Sequence, residues 1–453
     1  MKGDWRSHVP QLEDLARGLG LDWSPVIFEA VPDSFMTEIA VYGLPVRMPH
    51  WSFGARYIYQ LLQRHMGYSR LFEVVFPGDP SRAYLASSNG LADNVLVAAH
   101  VLGHADFSRN NSLFKRCQAQ GSGHVIEQAA THARQIEQYI ESYGFQAVEQ
   151  VLDAALSLEQ HIDLDQGLRR SPYPEYVTVP PPAAADAFRA RYATLDAAVE
   201  PAPTARKIRA PLPPHPEHDL LWFIATYAPD MESWERDIFL AVRDESFYFY
   251  PVFATQIMNE GWASYWHARL LREAHFIPQD VYLDAVKCHS DVVRPVAAEE
   301  QIALTTNPYY LGFTLWEAII KSAGMDAARQ IMREDDDFSF LRNHLTVEMA
   351  AEMDLFRFQR RAGGPVKVLA ADIDELRETL LSGKYNFGAP RISVLEIRPD
   401  GSLVLQHDSQ LDGRGLDPDR SRRVLEYVKR VWRRGVVLKT VDAALRPLEL
   451  AAV

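Results

Sequence analysis

Two histidines stand four residues apart in Ala99-His100-Val101-Leu102-Gly103-His104-Ala105-Asp106-Phe107. On a helix this spacing puts both imidazoles on one face, with Cβ atoms about 5–6 Å apart. Two rings so placed can converge on one cation at about 2.0–2.1 Å each, the ligand geometry of the H-E-x-x-H zincin motif. The zincin sets its general-base glutamate directly after the first histidine, and Val101 occupies that position here. The pattern therefore points to metal binding without the usual base. The competing reading is a pair of satisfied core histidines.

A second constellation, Asn259-Glu260-Gly261-Trp262-Ala263-Ser264-Tyr265-Trp266-His267, lies in a strongly apolar helical stretch. A glutamate between Met258 and Trp262 is costly to bury as an anion unless it is paired or metal-bound. Gluzincin-type sites draw their third ligand, a glutamate, from a later helix. His100, His104 and Glu260 are the expected ligand set, with zinc the expected ion and one position left open for water. His267 follows Glu260 by seven residues, two helical turns, and so faces the same side. It is a candidate fourth ligand, acid or supporting donor. A network in which Glu260 and His267 pair with arginines or with each other is the structural alternative.

Two carboxylates qualify as a base: Glu245, fifteen residues before Glu260, and Asp106, two past His104. Either can activate a metal-bound water, and either can serve a structural salt bridge. Asn110 and Asn111 read as helix-ending residues. His50-Trp51-Ser52-Phe53-Gly54, Cys288-His289-Ser290-Asp291 and Asn307-Pro308-Tyr309-Tyr310 are pocket or core strings. His124, His132 and His161 are isolated and read as core or surface residues. No phosphate loop, G-x-G-x-x-G, G-x-S-x-G or C-x-x-C occurs, which removes the commonest nucleotide, serine-hydrolase and structural-zinc explanations.

The elements that must position these residues are mostly helical. Helices are expected over about 91–107, 124–143, 147–161, 219–224, 234–247, 253–274 and 315–323, with Gly144 stopping the second. A short strand is expected over 71–75. Residues 172–216 are rich in Pro and Ala and read as a surface crossing with a short helix near 183–198. From about 371 the pattern changes: 391–397 alternates, Asp400-Gly401 turns, and 403–407 returns, a hairpin. Val424, Leu425, Val428, Val431 and Trp432 form a helical stripe before a strand at 436–438. That helix also carries Arg420, Arg422, Arg423, Lys429, Arg430, Arg433 and Arg434, a docking face for an acidic partner or simply a solvated one.

Lys and Arg number 47 against 60 Asp and Glu, a net charge of −13. An acidic chain is repelled by phosphate backbones, so nucleic acid is not an expected partner. Two cysteines, Cys117 and Cys288, form no disulfide framework and suit a reducing compartment. No apolar run long enough for a membrane span occurs and no secretory signal opens the sequence, so a cytoplasmic protein is expected.

These strings together resemble the SpoVR (stage V sporulation protein R) family. The segments that carry the resemblance are Pro49–Gly54, Ala99–Phe107 with Asn110-Asn111, Asp219–Ile224, Ile257–His267, Asn307–Gly312, Asp336–Asn343 and Tyr385–Gly388, in family order across nearly the whole chain. The resemblance implies a cytosolic protein linked to spore cortex formation or to stress responses. It also implies gene neighbours encoding a PrkA-type serine kinase and a von Willebrand-like partner. It brings no settled activity. The Glu260-Gly261-Trp262-Ala263 string also resembles part of certain metallopeptidases in which that glutamate binds zinc.

The expectation is a mainly α protein: a gluzincin-like helical body over 1–370 and a small α+β domain over 371–453. Its expected function is zinc-dependent hydrolysis of an amide bond, with Glu245 or His267 handling protons. The alternative is a non-catalytic regulatory or scaffold protein built on a metallopeptidase-like body, a reading that Val101 favours.

Overall fold

The computed structural model describes residues 4–65, 72–120, 124–165, 212–293, 307–353, 355, 357–359, 367–369 and 372–452. The chain is mainly helical and ends in a four-stranded sheet. The helices are, in order, α1 (Val9–Gly18), α2 (Asp33–Tyr42), α3 (Trp51–His65), α4 (Leu91–Asn110), α5 (Ser112–Gln120), α6 (Val125–Tyr143) and α7 (Phe145–Ser157). After residue 211 come α8 (Leu220–Tyr227), α9 (Ser233–Ala254), α10 (Gln256–Glu273), α11 (Gln279–Val292) and α12 (Pro308–Ala323). They are followed by α13 (Met325–Glu334), α14 (Asp337–His344), α15 (Val347–Glu352), α16 (Ile373–Leu381), α17 (Ser409–Asp412) and α18 (Pro418–Trp432). The expected crossing at 172–216, with its short helix, lies outside the described residues except for 212–216.

Contacts divide the chain into two compact units, one of Met1–Gln160 with Asp237–Ala389, the other of His161–Arg236 with Pro390–Val453. In the first, α4 is buried on nearly all sides, which its almost continuous run of apolar and small residues permits. α10 lies against both α4 and α12. Trp262 of α10 stacks edge-on against Trp316 of α12 at 4.9 Å and Trp266 at 5.8 Å. The indole N–H of Trp316 donates to the carbonyl of Met258 at 2.9 Å. A small sheet in the order β1-β3-β2 flanks α4: β1 (Val26–Val31) runs parallel to β3 (Ser81–Ala86), and β2 (Glu73–Phe76) antiparallel to it. The strand expected at 71–75 is β2; it pairs with the neighbouring β3, which pairs in turn with β1 from far back in the sequence.

Side chains from distant segments fix the start of α10. The fully buried Asp337 carboxylate accepts the N–H groups of Ile257 and Met258, both at 2.9 Å. These are first-turn donors that the helix itself leaves unpaired. Lys384 Nζ lies 2.8 Å from the same carboxylate. Asp106 accepts the indole N–H of Trp262 at 2.9 Å and the backbone N–H of Asp22 at 2.8 Å. Asn111, fully buried, donates to the carbonyls of Met332 and Asp335. Asp106 and Asn111 thus tie α4 to neighbouring segments, and Asn110 donates to the carbonyls of Asp22 and Asp106, each at 2.8 Å, instead of facing a reaction centre.

Two short strands, β4 (Arg357–Gln359) and β5 (Lys367–Leu369), pair antiparallel before α16. In the second unit, β6 (Ile392–Ile397) and β7 (Leu403–His407) form the expected hairpin. β8 (Val436–Val441) pairs parallel with β7, and β9 (Pro447–Ala452) completes the order β6-β7-β8-β9. Leu425, Val428, Val431 and Trp432 of α18 are buried, as their spacing predicts. Of the basic residues expected on this helix, Arg422 is ion-paired with Asp419, and Arg433 and Arg434, which lie just past its end, pair with Glu235 and Asp230.

A buried network ties this sheet to α17. His407 meets Asp412 Oδ2 through Nε2 and Thr440 Oγ1 through Nδ1, both at 2.8 Å, and the backbone N–H of Arg391 donates to the same Asp412 oxygen at 2.8 Å. Burial alone would raise the Asp412 carboxyl, but these donors outweigh it and hold it below its ordinary range. Asp412→Ala is expected to cost about 3 kcal/mol, because two buried donors lose their acceptor. A native-state pKa below the unfolded one contributes stability that is complete above the ordinary carboxylate range and is lost as pH falls through and below it. Urea unfolding at neutral and acid pH measures both effects, and the variant's deficit should shrink in acid.

Cys117 and Cys288 form no disulfide. Burial pushes the Cys117 thiol up to about 12, so it is inert at neutral pH. No helix among the described residues is long and apolar enough to cross a membrane.

Candidate metal centre

α4 and α10 cross so that His100, His104 and Glu260 meet, their nearest ligand atoms all within 4.8 Å of one another. Glu260 Oε2 lies 3.5 Å from His100 Nε2 and 3.4 Å from His104 Nε2. That oxygen is buried and makes no hydrogen bond of good geometry. Two donors each bound to one tetrahedral ion at about 2.05 Å stand about 3.3 Å apart. The two measured separations match that spacing. An orphaned buried carboxylate oxygen facing two imidazole nitrogens is also a nitrogen–oxygen donor set of the kind zinc takes. The residues present therefore fit a divalent ion.

The far side of each ring is held. His104 Nδ1 donates to Oδ1 of Asn259 at 2.9 Å, leaving Nε2 toward the site. His100 Nδ1 lies 2.9 Å from Nδ1 of His267. His267 Nε2 in turn lies 2.5 Å from Nδ1 of His289 on α11. His267 thus stands behind His100, on the side away from Glu260.

Burial, reinforced by the neighbouring His104, lowers His100 to about 4, so this ring is neutral and ready to ligate. Burial also works against charge on His104, but Glu260 and the bond to Asn259 outweigh it and raise this ring. Burial favours a neutral Glu260, yet the two imidazoles overcome that and hold its carboxyl far below the usual range. Burial, with His100 and His289 adding to it, holds His267 well below the ordinary imidazole value.

Two more residues complete the centre: Glu73, which sequence reasoning did not single out, and Tyr309, which it read only within a pocket or core string. Glu73, on β2, places Oε1 4.0 Å from His100 Nε2, and its side chain keeps 19% exposure. Burial and the nearby Glu260 raise it to about 7, against the pull of His104. Tyr309, at the start of α12, stacks on the His100 ring at 6.2 Å. The Glu260 charge and burial push its phenol well above the ordinary value, so it stays protonated. The signal for Glu73 was present in the sequence as a lone carboxylate in Leu71-Phe72-Glu73-Val74-Val75-Phe76.

Glu245 does not join the cluster. It is buried on α9 against Arg47, whose Nε lies 2.6 Å away, while another nitrogen of the same guanidinium lies 3.3 Å from Glu159. A carboxylate committed to a buried arginine is a structural anion, which corrects the expectation that Glu245 handles protons. Val101 is buried in the apolar core, so the position of the zincin base faces away from solvent.

A mainly helical body that closes two histidines of one helix and a glutamate of another around one point defines a candidate metalloprotein. Residues 4–388 match the family described as SpoVR like protein, and residues 390–443 match the SpoVR-like C-terminal domain. The chain belongs to the SpoVR-like family. It is similar to the uncharacterized protein YcgB of Escherichia coli (strain K12), 28% identical over an alignment 486 positions long that covers 98% of this chain and 93% of that protein. No solved structure matches it.

Proposed function

We propose that this chain is a zinc-dependent hydrolase of an amide bond, with His100, His104 and Glu260 as ligands. The observation that carries the proposal is the buried Glu260 Oε2, without a hydrogen bond of good geometry and nearly equidistant from two imidazole nitrogens. An ion bound there supplies Lewis acidity and lowers the pKa of a coordinated water toward about 7. The chain's own residues do the rest. Glu73, beside the ligands and partly open to solvent, takes the proton from the attacking water and passes it to the leaving amine. It replaces the glutamate that Val101 displaces from the zincin pattern. The neutral phenol of Tyr309 donates to the oxygen that gains charge as the carbonyl is attacked. The arrangement is gluzincin-like in its ligand order, two histidines on one helix and a glutamate on a later one. A cytoplasmic setting in sporulation or stress response, with a PrkA-type kinase and a von Willebrand-like protein as partners, is carried from family membership as part of the same proposal.

The test is metal content. Purified full-length protein is expected to bind about one equivalent of zinc, measured by elemental analysis after dialysis. His100→Ala with His104→Ala is expected to abolish that binding while the circular dichroism spectrum is kept. Wild-type protein that stays metal-free after incubation with zinc sinks the proposal and leaves the regulatory or scaffold reading that Val101 favours.

A further inference from the structure

Three buried or partly buried histidines run in line out of the metal centre: His100 on α4, His267 on α10 and His289 on α11. Their contacts are Nδ1 to Nδ1 at 2.9 Å and Nε2 to Nδ1 at 2.5 Å. A neutral imidazole carries one proton, so one nitrogen donates and the other accepts. Two ring-to-ring bonds among three neutral rings therefore allow only two arrangements, both protons pointing outward or both inward.

The inward arrangement leaves the proton of His100 on Nε2, facing Glu260, and forbids that nitrogen from ligating. The outward arrangement puts it on Nδ1 and frees Nε2. In that arrangement His100 Nδ1–H donates to His267 Nδ1, and His267 Nε2–H donates to His289 Nδ1. No charge changes between the two. The inner end gives up one proton, each ring passes one inward along the chain, and His289 takes one from solvent.

We infer that His267 and His289 are positioning residues of the metal centre, a hydrogen-bonded strut that selects the Nε2-ligating tautomer of His100. This deepens the zinc reading and rests on it. A ligating histidine ordinarily donates its second N–H to a carboxylate, a carbonyl or water. Here two histidines supply that partner instead, in a directional chain that ends at a partly exposed ring. His289 is held in turn by edge-on contact with Phe313 at 5.4 Å.

The test uses full-length protein and zinc alone. In the zinc-loaded wild type, long-range 1H–15N spectra are expected to show His267 with its proton on Nε2, a choice that a merely space-filling ring has no reason to make. His289→Ala is expected to weaken zinc binding about tenfold, at the lower end of the range for supporting residues. His289→Gln, whose amide oxygen still accepts, is expected to restore most of it. His289 sits at the exposed end of the chain, so these variants disturb the core least, and a thermal melt checks folding. His267 protonated on Nδ1, a loss smaller than threefold in His289→Ala, or a larger loss that glutamine does not restore each overturns the inference while leaving wild-type zinc binding intact. A wild type that takes up no zinc removes the underlying reading and this inference with it, so the two failures are told apart.

Discussion

Glu73→Gln is expected to keep one equivalent of zinc and to lose about 10²- to 10⁴-fold in kcat on a peptide substrate that the wild type cleaves, the usual contribution of a positioned proton acceptor. The reasoning is geometric first. Glu73 Oε1 stands 4.0 Å from a ligand nitrogen, too far to share the ion as closely as Glu260 does and near enough to reach a water beside it. Its partial exposure allows it to exchange protons with solvent between turnovers. Burial and the fixed charge of Glu260 raise it to about 7, the range in which one group can both accept and return a proton at neutral pH. Glutamine keeps the shape and removes the proton chemistry. Glu245→Gln is the matched control. It weakens a buried pair with Arg47 and is expected to lower stability by about 3 kcal/mol while leaving kcat within about twofold. Screening both variants against a quenched fluorescent peptide library, alongside zinc content, separates the roles. Equal losses from the two variants, or none from Glu73→Gln in an active enzyme, would remove Glu73 from the mechanism.

The cluster of His100, His104 and Glu260 was legible because each half of it is local. Four-residue spacing on a helix is read directly from His100 and His104, and Glu260 announces itself as a carboxylate inside an apolar helix. The hairpin at β6 and β7 and the stripe of α18 are likewise short-range patterns. Glu73, Tyr309 and His289 were not assignable, because what brings them to the site is tertiary. Glu73 arrives only when β2 pairs with β3, whose own parallel partner β1 starts at Val26 and matches Ser81 across 55 residues. Tyr309 and His289 arrive through the packing of α12 and α11. The mistaken role for Glu245 has the same origin. Fifteen residues before Glu260 looked close in sequence, but Arg47, nearly two hundred residues away along the chain, claims that carboxylate.

The closeness that makes the site comes from glycines at the helix crossings, and replacing one by alanine is expected to have the largest effect on the fold. A Cβ on Gly312 of α12 would lie 2.1 Å from the Ile257 carbonyl oxygen, and one on Gly261 of α10 would lie 2.3 Å from the carbonyl carbon of Gly312. A Cβ on Gly103 of α4 would lie 2.6 Å from Cα of Ala263. Every one of these neighbours is backbone, so no side chain can swing aside, and the helices must part. Overpacking of this kind costs about 1–3 kcal/mol and occasionally more, and the top of that range is expected for Gly312→Ala. Gly261 follows Glu260 directly, and Gly103 precedes His104, so parting these helices also opens the ligand triangle. A displacement of about 1 Å at a site can cost on the order of 10²-fold, and zinc affinity in Gly261→Ala is expected to fall at least tenfold even where the protein still folds. Gly54→Ala in α3 is the control: no atom lies within 4 Å of its added Cβ, and alanine in a helix interior is favoured by about 0.5–1 kcal/mol. Denaturant midpoints and zinc titrations on the three variants read the difference. If Gly312→Ala and Gly54→Ala shift stability alike, the close crossing of α10 and α12 does not hold the centre together.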